Sequence, residues 1–376
     1  MLLALSFAAL SGVEKQVVNT AWWPPGTEKT EESVGIISRA TIFATGMMEQ
    51  NATVTLDVEL EWLDVEDIMT ASNSTIDNLV SCVANAPPGK ADVVRAAIIN
   101  QTHNQVALTV VEMGGEFLGQ PTSCSCIGVK PSLLPKKVTR VGNATAVLAK
   151  RWAYASSYAT TAAIAIDALS KALAAAAVES GGGVRATPLA GLVECEVYAR
   201  RASDAAAVRA ALSAASIGAA VAPSLTVLVV KDGPFARSPY VSLQCVATTL
   251  APSAKRYVSA VAPSGAHVTG VVADGLVFVG GVDGVKGQNA TDALAGVEAV
   301  LHAAGTFLNE TVACRFYAQK ATVVMGIFYG FFAVFNAANF YDGQIVPPTR
   351  VEFVATSDTA CATCDVYAKC IAATVE

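Results

Sequence analysis

The feature that most constrains this chain is that it repeats itself. The strand-like run Val193-Glu-Cys-Glu-Val-Tyr-Ala199 returns as Val312-Ala-Cys-Arg-Phe-Tyr-Ala318. Three further matches share an offset of 125 residues. Val221-Ala-Pro-Ser-Leu225 matches Val346-Pro-Pro-Thr-Arg350, Leu243-Gln-Cys-Val-Ala247 matches Ala368-Lys-Cys-Ile-Ala372, and Asp167-Ala-Leu169 matches Asp292-Ala-Leu294. The N-terminal third carries a worn copy. There Cys124-Ser-Cys-Ile-Gly128 matches the closing strand, Asp92 to Ile99 the cysteine-containing strand, and Ile76-Asp-Asn-Leu79 the helix before it. Ala107-Leu-Thr-Val-Val111 resembles Ser224-Leu-Thr-Val-Leu228. Self-similarity on this scale means that each copy is one supersecondary unit and that neighbouring copies bury each other's faces.

Each full copy reads strand, helix, strand, helix, strand, strand. In the third copy Val271 to Gly281 is rich in β-branched and aromatic residues and reads as the first strand. Asn289 is a helix N-cap, and Leu294, Val297, Val300 and Leu301 form the apolar stripe behind it. Thr311 to Gln319 follows as a strand, 323–335 as a second helix, and Arg350 to Ala355 and Val366 to Ala373 as the closing strands. The second copy runs the same way, from a strand over Ala146 to Ser157 through helices over Thr160 to Val178 and Ser203 to Ala215. In the first copy an extra alternating segment, Thr53 to Leu63, precedes the first helix, and Gln101 to Gln105 replaces the second helix with a turn. These readings divide the chain into an arm over 1–30 and repeats over 31–130, 131–249 and 250–376.

Composition narrows the functional classes. Hydrophobic residues make up 53% of the chain and charged residues 15%, well under the usual quarter. Such a chain folds around a large core, and it has little polar material with which to cover an ordinary surface. The net charge of −6, with no basic block, leaves no electrostatic footprint for nucleic acid. The three histidines, His103, His267 and His302, fall in no zinc-ligand spacing. No metal and no cofactor is expected.

The run Gly275-Leu-Val-Phe-Val-Gly-Gly281, the later Pro348-Thr-Arg350 and the closing Cys370-Ile-Ala372 resemble the RidA/YjgF family, also known as endoribonuclease L-PSP or reactive-intermediate imine deaminases. The resemblance implies an α+β, chorismate-mutase-like unit in which two helices back one sheet. Family members are homotrimers with ligand clefts between neighbouring subunits. Three tandem copies then imply a single-chain pseudo-trimer, sheets inward and helices outward. A heterologous interface that closes after three units needs only one chain if that chain holds all three.

The family's chemistry is expected to be worn away. The family arginine that holds the substrate carboxylate matches Arg350, a fork suited to two oxygens, but its counterparts are Leu225 and Leu108. The family glutamate that helps position the hydrolytic water matches Ser125, Gln244 and Lys369, none of them a carboxylate. Gly326 stands where the family's helix asparagine is expected. These losses imply a pseudoenzyme acting as a structural or docking subunit of a larger protein assembly. The alternative is an imine or enamine deaminase, or a small-ligand sensor, using one remaining cleft at Arg350.

Other features bear on partners and compartment. The helix over 323–335 carries apolar residues around most of its circumference, so Phe328, Phe332 and Phe335 are expected on an outward face that meets a partner protein. The uncharged stretch from Ala321 to Tyr341 is long enough for a bilayer, but a buried helix is favoured over a membrane span. Leu2 to Leu10 is apolar without a preceding positive charge and reads as a first strand or packed arm rather than a targeting segment. Cys361-Ala-Thr-Cys364 reads as a structural or incidental pair, since zinc would need two more ligands, such as Cys124 and Cys126, brought close. Nine cysteines, most in apolar strands, read as buried thiols of a reducing compartment. With the family's frequent presence there, this favours the mitochondrion. Six Asn-x-Ser/Thr triplets, at Asn51, Asn73, Asn100, Asn143, Asn289 and Asn309, either mark surface loops of a secreted protein or serve as caps and turns.

Overall fold

The computed structural model describes residues 15–18, 35–45, 58–86, 89–112, 123–179, 188–215, 222–230, 241–249, 254–283, 290–318, 321–335, 348–354 and 366–375. Unit 1 runs β1 (Lys15–Val18), β2 (Gly35–Ser38), β3 (Thr41–Thr45), α1 (Val58–Ala71), β4 (Leu79–Ala86), α2 (Ala91–Gln101), β5 (Ala107–Glu112) and β6 (Ser123–Val129). Unit 2 runs β7 (Lys137–Val141), β8 (Ala144–Ala149), β9 (Trp152–Ala159), α3 (Ala162–Glu179), β10 (Leu192–Ala199), α4 (Ala202–Ala215), β11 (Ser224–Val229) and β12 (Val241–Thr248). Unit 3 runs β13 (Arg256–Val261), β14 (His267–Ala273), β15 (Leu276–Asp283), α5 (Ala290–Ala304), β16 (Thr311–Ala318), α6 (Ala321–Val334), β17 (Thr349–Val354) and β18 (Val366–Ala373).

Each unit is one six-stranded sheet of the same order. An antiparallel meander leads to the last strand of the unit, which lies beside the cysteine strand, and an edge strand pairs parallel to that. A parallel pair needs a crossover, and α2, α4 and α6 supply it. The cysteine strands share a register shift at their start, at Leu79/Ser81, Leu192/Glu194 and Thr311/Ala313. The copies therefore match down to the same irregularity.

The two faces of each sheet are buried differently. One face packs on the unit's own helices. In unit 3, Cys314, Phe316 and Ala318 of β16 join Leu294, Val297 and Leu301 of α5 and Ile327, Phe331 and Phe335 at α6. The other faces meet each other. Ile36, Phe43, Val80 and Ile127 of unit 1, Trp152, Tyr154 and Val193 of unit 2, and Phe278, Val312 and Ile371 of unit 3 form one shared cluster. Sheets are inward and helices outward, as the repeat pattern implies. The linkers are pinned alike: Lys136 Nζ donates to Leu79 O and Gln105 O, and Lys255 Nζ to Ala190 O and Leu192 O of the preceding unit.

Several sequence expectations are corrected. Each unit opens with a meander rather than one strand. Ala146 to Ser157 breaks at Lys150, whose φ is 49°, and Val271 to Gly281 breaks at Asp274 and Gly275, with φ of 44° and 79°. Two successive positive φ values are the hairpin turn that Asp-Gly favours. In unit 1 the reading slipped by one element. Asp92 to Ile99 lies in helix α2, with Ala91, Val94 and Ile98 buried on one side, and the cysteine strand is β4, carrying Cys82. Residues 101–105 end and follow that helix rather than replace it, and the described part of the expected extra segment, Val58 to Leu63, belongs to α1. Ile76–Asn78 is a single 3-10 turn. Lys15–Val18, inside the expected arm, pairs with β2 as an edge strand. Leu2 to Leu10 lies outside the described residues.

The cysteine reading is also corrected. Cys82–Cys126, Cys195–Cys245 and Cys314–Cys370 are disulfides, one per unit, each joining directly opposed residues of neighbouring strands. The apolar strands that read as homes for buried thiols bring equivalent cysteines face to face. With six cysteines paired, the reduced-thiol ground for a mitochondrial location falls. Cys124 is buried on β6, two residues before Cys126. Cys361 and Cys364 lie outside the described residues.

Candidate functional site

Two sets of positions could carry chemistry: the three inter-unit seams and the polar residues on the inner faces. The seams run in one rotational sense. Edge strand β5 of unit 1 lies against β9 and β12 of unit 2, β11 of unit 2 against β15 of unit 3, and β17 of unit 3 against β3 and β6 of unit 1. The interface is heterologous and closes after three units.

The register places the anchor positions equivalently. Leu108 pairs with Cys82, Leu225 with Cys195 and Arg350 with Cys314. Leu108 is buried in unit 1's core, and Leu225 packs against that of unit 2. The Arg350 backbone takes the same place in β17, and its side chain lies outside the described residues. The seam between units 2 and 3 is closed by backbone contact. A Cβ at Gly280 would stand 2.9 Å from Ser224 Oγ and Thr226 Oγ1, and one at Gly281 would run into Leu225 O. The Gly281 N–H donates to Thr226 Oγ1 at 3.0 Å. The two glycines let the strands meet where a side chain would hold them apart.

Ser125, Gln244 and Lys369 each immediately precede the disulfide cysteine of their strand and are buried. Gln244 ties unit 2 to unit 1: its Nε2 donates to Ser81 Oγ at 2.6 Å and Ala107 O at 3.2 Å, and its Oε1 accepts from Thr109 Oγ1 at 2.6 Å. Lys369 Nζ lies 2.8 Å from Glu196 Oε1 and 3.0 Å from Glu194 Oε1. Arg315 Nη1 donates to Glu196 Oε2, and Arg315 Nη2 reaches Ser125 O at 3.5 Å. All three units thus contribute to one buried polar cluster.

Two tyrosines complete it. Tyr317 OH donates to Glu196 Oε1 at 3.0 Å and Tyr198 OH to Glu196 Oε2 at 3.3 Å, and the two hydroxyls stand 2.9 Å apart. Burial pushes the Glu196 carboxyl up, but Arg315 and Lys369 outweigh it and bring it down to about 2. Burial raises the Glu194 carboxyl above its usual range, and Glu196 adds to that while Lys369 opposes it. Burial and the neighbouring Glu196 raise both tyrosine hydroxyls. Glu196 is therefore a fixed anion held by two cations, and the arrangement is an ion pair network rather than a poised acid and base. No group of three metal-ligating side chains stands together among the described residues.

Sequence reasoning singled out Ser125, Gln244 and Lys369 but missed their partners Glu194, Glu196, Arg315, Tyr198 and Tyr317. The available signal was two glutamates at alternate positions of an otherwise apolar strand, matched by Arg315 in the next copy. Of the residues expected on a partner face, Phe335 is 1% exposed and its ring lies 4.7 Å from that of Phe331, so it belongs to the unit's own core. The side chains of Phe328 and Phe332 lie outside the described residues. Tyr329, on the same helix, is 64% exposed. Among the described residues no helix is long and apolar enough to cross a membrane.

No protein-family model matches the chain, and no curated protein matches it. Among solved structures, chorismatase is similar over 89% of this chain and 98% of its own, at 10% identity and a TM-score of 0.51. YyfA of Yersinia pestis, of the Rid protein family, covers 31% of this chain with 100% of its own, at 15% identity and a TM-score of 0.27. A candidate endoribonuclease L-PSP of Entamoeba histolytica also covers 31% with 100% of its own, at 15% identity and a TM-score of 0.28. The chain shares the fold of chorismatase over most of its length and builds it from three tandem α+β units of the same strand order.

Proposed function

We propose that this chain is a catalytically silent RidA-like pseudo-trimer that serves as a structural or docking subunit of a larger protein assembly. The observation that carries the reading is what fills the positions where the family keeps its water-activating glutamate. Gln244 is consumed by hydrogen bonds to unit 1, and Lys369 by ion pairs to unit 2. Side chains so occupied hold units together and are not free to position water. Leu108 and Leu225 add two seams without an anion anchor, and the seam between units 2 and 3 is packed shut.

A coupled assay with short 2-imino acids tests the reading. The expected outcome is turnover at the uncatalysed rate. Turnover comparable to that of an imine deaminase, abolished by Arg350→Ala, would overturn it in favour of an enzyme working at the seam of units 3 and 1. Binding of a small carboxylate without turnover, lost in the same variant, would make the chain a sensor. The proposed docking face lies on α6, whose inner residues Ile327 and Phe331 are spent on the core while Tyr329 points out. Replacing Phe328 and Phe332 by serine is expected to leave the fold intact and to abolish co-purification with the native assembly. A variant that still co-purifies places the docking face elsewhere.

A further inference from the structure

We infer that Asn73, Asn100 and Asn143 are N-glycosylated. Two unrelated observations converge on this. The first is that half of the chain's twelve asparagines stand in Asn-x-Ser/Thr triplets, where about two would be expected from composition. The second is the set of three disulfides, one at the same place in every unit. Structural disulfides form and persist in oxidising compartments, the same compartments in which asparagines receive glycans.

The fold then sorts the acceptors. A glycan is compatible with a folded chain only where the asparagine side chain leaves the surface. Asn73 follows α1 in a turn, exposed, with a φ of 54°. Asn100 sits exposed in the last turn of α2. Asn143 is exposed at the tip of the β7–β8 hairpin beside Gly142, whose φ is 57°. Their triplets are Asn73-Ser-Thr75, Asn100-Gln-Thr102 and Asn143-Ala-Thr145. Asn309 contrasts with them. It is half-buried in a 3-10 turn, and its Oδ1 is withdrawn from solvent. Its side chain leaves the surface less than those of Asn73, Asn100 and Asn143, so it is expected to stay unmodified. Asn51 and Asn289 lie outside the described residues.

The chemistry is a group transfer from a lipid-diphosphate-linked oligosaccharide. The asparagine amide nitrogen attacks the anomeric carbon of the first sugar. The N–C bond forms, and the C–O bond to the diphosphate breaks. The lipid diphosphate leaves with the electron pair, and the amide gives up one proton.

The test uses the full chain isolated from its own cells, unfolded in denaturant without reductant while free thiols are alkylated. The denatured protein is then treated with peptide N-glycosidase in heavy-oxygen water and read by peptide mass spectrometry. Heavy-oxygen-labelled aspartate is expected at residues 73, 100 and 143, with unlabelled asparagine at 309 and the six paired cysteines unalkylated. An unlabelled Asn73, Asn100 or Asn143 overturns the assignment at that residue, and a labelled Asn309 overturns the sorting by exposure. Alkylation of Cys82, Cys195 or Cys314 in the unfolded, unreduced chain overturns the compartment on which the inference rests. None of these outcomes depends on whether the chain is catalytically silent.

Discussion

At the scale of single residues, the centre of the molecule is a place that no homotrimer could share. Val83, Glu196 and Arg315 stand at matching register, each directly after the bridged cysteine of its strand, Cys82, Cys195 or Cys314. Three identical glutamates, or three identical arginines, would repel one another in a low dielectric. Fusing the copies lets the positions differ, so one carboxylate meets two cations. Removing one partner of such a buried set strands the other charge, which typically costs about 3–5 kcal/mol. Arg315→Glu and Glu196→Arg should each lower stability by roughly that much, and the double exchange should recover most of the loss in urea titrations. Additive losses in the double variant would mean that the two side chains do not act on each other.

The same carboxylate sets a pH dependence. The Glu196 pKa is held down at about 2, below its unfolded value, so its contribution is complete above pH 4.5 and is lost as pH falls towards 2. Glu194 is raised, so its ionisation opposes folding as pH climbs through its folded value. Glu196→Gln should therefore be most destabilising near neutrality, and its deficit should shrink between pH 4.5 and pH 2. A deficit that stays constant over that range would assign the effect to shape rather than charge.

At the scale of elements, what was legible depended on whether a signal was local. The helices α3 to α6 and strands β16 and β18 fall where periodicity places them. The meanders did not, because Lys150-Arg151 carries no glycine to announce a turn, and Asp274-Gly275 is two residues inside an otherwise unbroken apolar run. In unit 1 the loss of similarity around Cys82 let α2 be taken for the cysteine strand. Of the site, the repeat alignment marked Ser125, Gln244 and Lys369, whereas the partners of Lys369 come from another unit and no local pattern joins them. The disulfides were hidden for the same reason, since opposition across strands is a matter of register.

Those bridges make an element-scale prediction. Each closes a loop of 44 to 56 residues. A loop of that size corresponds to about 4 kcal/mol of unfolded-state entropy, an upper value where the native geometry is imperfect. Replacing Cys195 and Cys245 together by alanine should lower the urea midpoint without changing the inter-unit contacts. In α6, Phe331 packs edge-on against Phe316 with centroids 6.0 Å apart, and Phe331→Ala should cost about 3–5 kcal/mol by leaving a cavity. A Phe331→Ala chain of unchanged stability would show that α6 is not held by this stack.

At the scale of the whole molecule, the question is whether three units are three domains. Their helix-side cores are separate, but the inner cluster and the charge network belong to all of them. A unit that loses its neighbours exposes the inner face of its sheet and strands its share of the network. The units should therefore unfold together. Trp152 reports on the joint, because its ring meets Phe278 of unit 3 edge-on at 5.5 Å. Far-ultraviolet circular dichroism reports on all three units at once. With the other tryptophans replaced by phenylalanine, Trp152 fluorescence and circular dichroism should give one coincident urea transition. The chain should remain single by light scattering, because the seam that would recruit a further copy is already occupied by its own third unit. A joint that opens at lower urea than the units lose their secondary structure would mean three beads in contact rather than one closed ring.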